Sequence, residues 1–151
     1  MSLRALQDQG HLRPHKTSTK EVADILRVVD RDLADARVAQ VSADRRFVIA
    51  YSAALELATI ALYAVGFRTA GAGHHWATFQ ALPHIMGSQV QTRADFLNAC
   101  RSKRNITDYD RAGEISESEV QALLTETEAF RVDLIAWLKA NHPSLVPQGA
   151  A

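Results

Sequence analysis

The side chains best suited to chemistry lie together in the stretch Arg101-Ser102-Lys103-Arg104-Asn105-Ile106-Thr107-Asp108-Tyr109. Three cations within four residues form a local anion site when the backbone gathers them on one surface. Asn105 adds a donor and an acceptor, and Tyr109 adds a phenol that can bond a phosphate oxygen or stack on a base. Steps of three and four carry the register from Phe96 through Leu97 and Cys100 to Arg104, placing a guanidinium on or beside an apolar helical stripe. A charge in that position must be paired or must face a cleft, because burying it alone is costly. The alternative use of Arg104 is structural, pairing with Asp108 or Asp110 at a helix end. Arg101 and Lys103 alternatively form a solvated basic face, and Tyr109 alternatively wedges a loop against the core.

The remaining candidates carry less. His74, His75 and His84 invite a metal, but neighbouring helical positions point about 100° apart and no carboxylate lies at ligand spacing. No metal and no cofactor are therefore expected, and His75 reads as a loop or supporting hydrogen-bonding residue. Cys100, on the apolar stripe, reads as an inert buried thiol. Trp76 and Phe79 read as core. Nothing resembles a serine triad, a phosphate-binding glycine loop or a helix-turn-helix.

Helices must position these groups. Ser18 with Glu21 spells a capping box, followed by the stripe Val22, Ile25, Leu26, Val29, Leu33 and Ala36, with Asp30, Arg31, Asp32 and Asp35 opposite. A second helix opens near Ser42 with Asp44 in its first turn, and from Phe47 to Val65 its only charge is Glu56. A helix so apolar all round is the centre of a bundle or an oligomer interface, and Gly66 offers it a left-handed stop. Ser116 with Glu119 opens a long last helix whose stripe is Val120, Leu123, Leu124, Phe130, Leu134, Ile135 and Leu138. Between them, 74–86 reads as a short helix interrupted by Pro83 and closed by Gly87, and 89–104 as another helix. Strand signals, repeats and low-complexity stretches are absent.

The chain has 151 residues, one ordinary domain. At 47% apolar and 23% charged it is globular in composition. Seventeen acidic and seventeen basic side chains cancel, which excludes a globally basic nucleic-acid binder while leaving a local patch open. The single cysteine excludes an internal disulfide framework. No secretory leader and no charge-free membrane span are read, so a cytoplasmic location without membrane association is expected. The expected organisation is a flexible arm over 1–16, an all-α up-and-down bundle of four or five helices over 17–141, and a flexible tail over 142–151.

The order of these features resembles the HEPN superfamily (higher eukaryotes and prokaryotes nucleotide-binding). The resemblance rests on the Phe47-Val-Ile-Ala-Tyr51-Ser-Ala-Ala-Leu55-Glu-Leu57 helix, the Gly66-Phe67-Arg68 turn, and Gly73-His74-His75 before a short helix. The Arg104-Asn105-x-x-x-Tyr109 block and the long last helix complete it, spanning about residues 18–140. It implies a helical bundle, commonly a homodimer, that binds RNA or a nucleotide phosphate through Arg101, Lys103, Arg104, Asn105 and Tyr109. Active members use arginine, a polar residue and then histidine for metal-independent RNA cleavage, and here Tyr109 stands where that histidine is expected. A phenol with a reference pKa near 10 is a poor general base at neutral pH, so the substitution favours binding over cleavage by Arg104 and Tyr109. The resemblance also implies a toxin–antitoxin or nucleotidyltransferase-associated system. Two alternatives stand beside RNA binding: a weak ribonuclease toxin, and a protein-interaction module without a nucleic-acid ligand.

Overall fold

A computed structural model describes residues 2–109 and 114–150, the side chains of 106–109 excepted. It is mostly helical, in keeping with the all-α expectation. The helices are α1 (Leu3–Asp8), α2 (Thr19–Asp35), α3 (Ala43–Ala64), α4 (His74–Met86), α5 (Gln91–Tyr109) and α6 (Glu117–Asn141). Two short strands, β1 (Leu12–Pro14) and β2 (Phe67–Thr69), pair antiparallel with Arg13 opposite Arg68. This ribbon corrects the expectation of no strands. Three residues a side are too few to show alternation.

The helix starts follow the capping chemistry, with one difference. Ser116 and Glu119 form the full reciprocal box at α6. At α2, Ser18 Oγ accepts from the Glu21 amide, but the Glu21 carboxylate turns to His15 Nε2 (2.6 Å) and Thr17 Oγ1 (2.7 Å) instead. Gly66, at φ +91°, follows the end of α3 and takes the left-handed conformation that a β-carbon would strain. Helix α4 runs through Pro83 without a break, contrary to the expected interruption, and Gly87 at φ +110° ends it.

α3 is the hub, packed against α2, α4, α5 and α6. By length and composition it would suffice to cross a bilayer. Yet no residue from Arg46 to Ala64 is exposed, because the neighbouring helices cover it. The expected stripes are buried: Val22, Leu26, Val29 and Leu33 on α2 with Ala36 at its C-cap, Ile25 being only partly buried, and all seven named positions of α6. Phe96, assigned to the stripe of α5 with Leu97 and Cys100, is instead exposed.

Within the segment 1–16, expected as a loose arm, Leu3–Asp8 form α1 and Leu12–Pro14 form β1. Leu6 and Leu12 are buried there with Leu62 and Ala81 in a second, smaller core. The tail begins with a 3-10 turn (Pro143–Leu145), and Leu145, Val146 and Ala150 pack on the main core.

Asp32, expected on the solvent side of α2, is buried against α3 and faces Glu56. Burial first, and the Asp32 charge second, push the Glu56 carboxyl up to about 7 from an ordinary 4.5. A folded-state pKa above the unfolded one means the native chain holds the extra proton. Stability contributed by Glu56 is therefore full below pH 4.5 and lost as pH rises through 7. Glu56→Gln should raise stability at pH 8 by about 1–2 kcal/mol, discounted for partial exposure, and flatten the melting profile between pH 5 and 8. Thermal melts of both proteins across that range check it.

Candidate anion-binding site

The end of α5 meets the middle of α3 and the start of α4. Tyr51, wholly buried on α3, carries its hydroxyl to Nδ1 of His75 at 2.9 Å. Arg104 of α5 lies over the Tyr51 ring, with its guanidinium carbon 5.8 Å from the ring centre, within cation–π range. Phe79, one helical turn beyond His75, packs edge-on against the same ring at 6.0 Å. A buried aromatic thus joins a cation and an imidazole that lie far apart in the chain.

The electrostatics follow from this packing. Burial holds the Tyr51 phenol well above its ordinary value against the opposing pull of Arg104 and Arg101, so it stays protonated. His75 is its one hydrogen-bond partner among the described residues; with the hydroxyl donating to Nδ1, the neutral imidazole carries its proton on Nε2. Burial, then the charges of Arg104 and Arg101, then His74, lower the His75 pKa from 6.5. A neutral histidine that offers an Nε2–H beside two guanidiniums is a donor set for an anion. Helix α4 adds to it, because Gly73 at its N-cap provides no side-chain cap and leaves first-turn amides open.

The other sequence candidates are distributed around this cluster. Arg101 is half-buried, and its Nε donates to Asn98 Oδ1 at 2.9 Å. Asn105 is exposed and accepts from Arg104 at a long 3.4 Å. Lys103 is bonded to Glu119, so its charge is already matched and adds little to the anion field. The Tyr109 backbone closes α5, while its side chain, with those of Asp108 and Asp110, lies outside the described residues. The structure therefore assigns no contact to Tyr109. Cys100 is buried and its thiol is pushed up to about 11, as an inert thiol should be. Among the described residues no group of three metal-ligating side chains forms. The sequence gives His75 a supporting role and no site role to Tyr51, whose signal is a phenol in the middle of a largely apolar helix.

No family model matches the chain, and no curated protein or solved structure is significantly similar to it.

Proposed function

We propose that this chain is a HEPN-like binder of RNA or nucleotide phosphate, acting through Arg104, Arg101 and His75. The observation that carries this reading is the Tyr51-anchored pair of imidazole and guanidinium. The arrangement favours binding over cleavage. A histidine whose Nδ1 is taken by a buried phenol presents a proton on Nε2, whereas a general base needs a lone pair there. Arg104 and Arg101 supply the electrostatic attraction, and Nε2–H and the α4 amides orient one phosphate.

The test is a fluorescence titration with single-stranded oligouridylate at low salt. Arg104→Ala and His75→Ala should each weaken binding about tenfold or more, and the wild-type affinity should fall as salt rises. Equal affinities for wild type and Arg104→Ala would end the proposal. A bound phosphodiester raises the His75 pKa, so binding takes up a proton and strengthens as pH falls from 7.5 to 5.5. His75→Gln should lose that dependence.

A second reading has one observation in its favour: His75 supplies an imidazole beside Arg104 where the chain has Tyr109. A weak metal-independent ribonuclease would then use His75, and incubation with RNA and a chelator at high protein concentration reads it directly. The resemblance adds a homodimer and a nucleotidyltransferase or antitoxin partner to the proposal. Light scattering at twice 16.6 kDa would support the first, and a stoichiometric protein partner recovered without RNA binding would favour an interaction module.

A further inference from the structure

We infer that the β1–β2 ribbon is a second phosphate subsite, built on Arg13 and Arg68, that receives a neighbouring phosphate of the same RNA strand. The inference rests on the anion-binding reading of the Arg104 cluster and extends it from one phosphate to a strand. Arg13 and Arg68 are directly opposite in the antiparallel register, so their side chains leave the same face of the ribbon. Like charges so placed destabilise a strand pair unless something neutralises them.

No carboxylate among the described residues lies at ion-pair distance to do so. Other arginines are matched by carboxylates: Arg46 grips Glu117, Arg93 grips Glu126, and Arg131 grips Asp30. Neither Arg13 nor Arg68 has a carboxylate oxygen within 4.0 Å among the described residues. Arg68 is half-buried, and its Nε is shielded from water with no hydrogen-bond partner. Such a donor costs free energy where nothing accepts from it. Arg68 feels the charge of Glu21, but the bonded oxygen of that carboxylate is committed to His15 and Thr17. The local design thus withholds the internal partner.

Position supports one continuous ligand. β2 ends at Thr69 and α4 begins at His74, so His75 stands seven positions after Arg68, a reach of at most about 25 Å. At about 3.4 Å per step in a stacked strand, that gap holds no more than roughly seven phosphates. The ligand is thereby a short single strand whose phosphates meet His75 and Arg104 at one end and the ribbon at the other.

The experiment compares uridine monophosphate with a single-stranded dodecauridylate, on wild type and on the Arg13→Gln/Arg68→Gln variant, across a salt series. Wild type should bind the dodecamer at least tenfold more tightly than the mononucleotide. The double variant should lose most of that advantage, and its salt slope should shrink by about 1.4 for two lost phosphate contacts. The mononucleotide affinity reports the Arg104 cluster separately. Should the half-buried Arg68 change impair folding, Arg13→Gln alone, at an exposed strand position, should shrink the slope by about 0.7. Unchanged dodecamer affinity and slope in the variants overturn the ribbon subsite while leaving the Arg104 reading intact. A wild type with no preference for the dodecamer also overturns it. Inorganic polyphosphate binding as tightly as the dodecamer, and as sensitive to the two arginines, overturns RNA as the occupant. Absence of binding to either nucleotide ligand refutes the Arg104 reading, and the ribbon with it.

Discussion

Arg46→Leu should lower unfolding stability by about 3 kcal/mol, close to 10 °C in melting temperature for a domain of this size. Arg46 is 5% exposed and lies inside the first turn of the most buried helix. Its Nε donates to the Ala36 carbonyl at 2.7 Å, and one terminal nitrogen donates to both oxygens of Glu117 at 2.9 and 2.7 Å. One side chain therefore fastens the C-terminus of α2, the N-terminus of α3 and the first turn of α6. Leucine fills part of the volume and leaves the Ala36 carbonyl unsatisfied in a dry place. Glu117→Gln should cost much less, because Glu117 is mostly in water. Arg46 also holds the Glu117 carboxyl below its usual value, a stabilisation present at neutral pH and lost as pH falls through that lowered pKa. Denaturant titrations of the two variants separate the contributions. Equal small losses would show that the three-helix clamp carries no weight.

The same clamp shows what the sequence allows one to read. Helices α2 and α6 were legible because their apolar residues recur at three and four over many turns, α3 because it is apolar all round, and Ser18, Ser42 and Ser116 mark their starts. Arg46 was not, since the second of two adjacent arginines at the head of an apolar run looks like a solvent-facing charge. Arg104 was legible from the register of α5. Its neighbours were not, because Tyr51 and His75 reach it only through the packing of α3, α4 and α5. The ribbon was invisible for another reason. Its pairing joins residues far apart in the chain, and three-residue strands carry no periodicity of their own. Asp32 fell on the polar side of α2 by helical period, yet tertiary packing buried it against Glu56. In each case local pattern predicted the element, and contacts between elements decided the chemistry.

Tyr51 is where the core and the candidate site become one object, and two substitutions there should part company. Tyr51→Ala removes a wholly buried ring that packs on Phe79, lies under Arg104 and holds His75. The cavity and lost contacts should cost about 3–5 kcal/mol, enough to threaten folding of a marginally stable domain. Tyr51→Phe keeps the ring and deletes only the hydroxyl, so stability should fall by about 1 kcal/mol. Its effect on the site should be disproportionate. With no donor at Nδ1, the neutral imidazole loses a bond that favours it, so the His75 pKa should rise, while burial and the charges of Arg104 and Arg101 still hold it down. The tautomer is then no longer fixed with Nε2–H outward, and oligonucleotide affinity near pH 7 should drop several-fold while the melting curve barely moves. Proton NMR titration of the His75 ring in wild type and Tyr51→Phe reads the first effect, and binding isotherms read the second. An unshifted His75 titration in Tyr51→Phe would mean that the phenol is packing alone, and the donor geometry assigned to His75 would then have no cause.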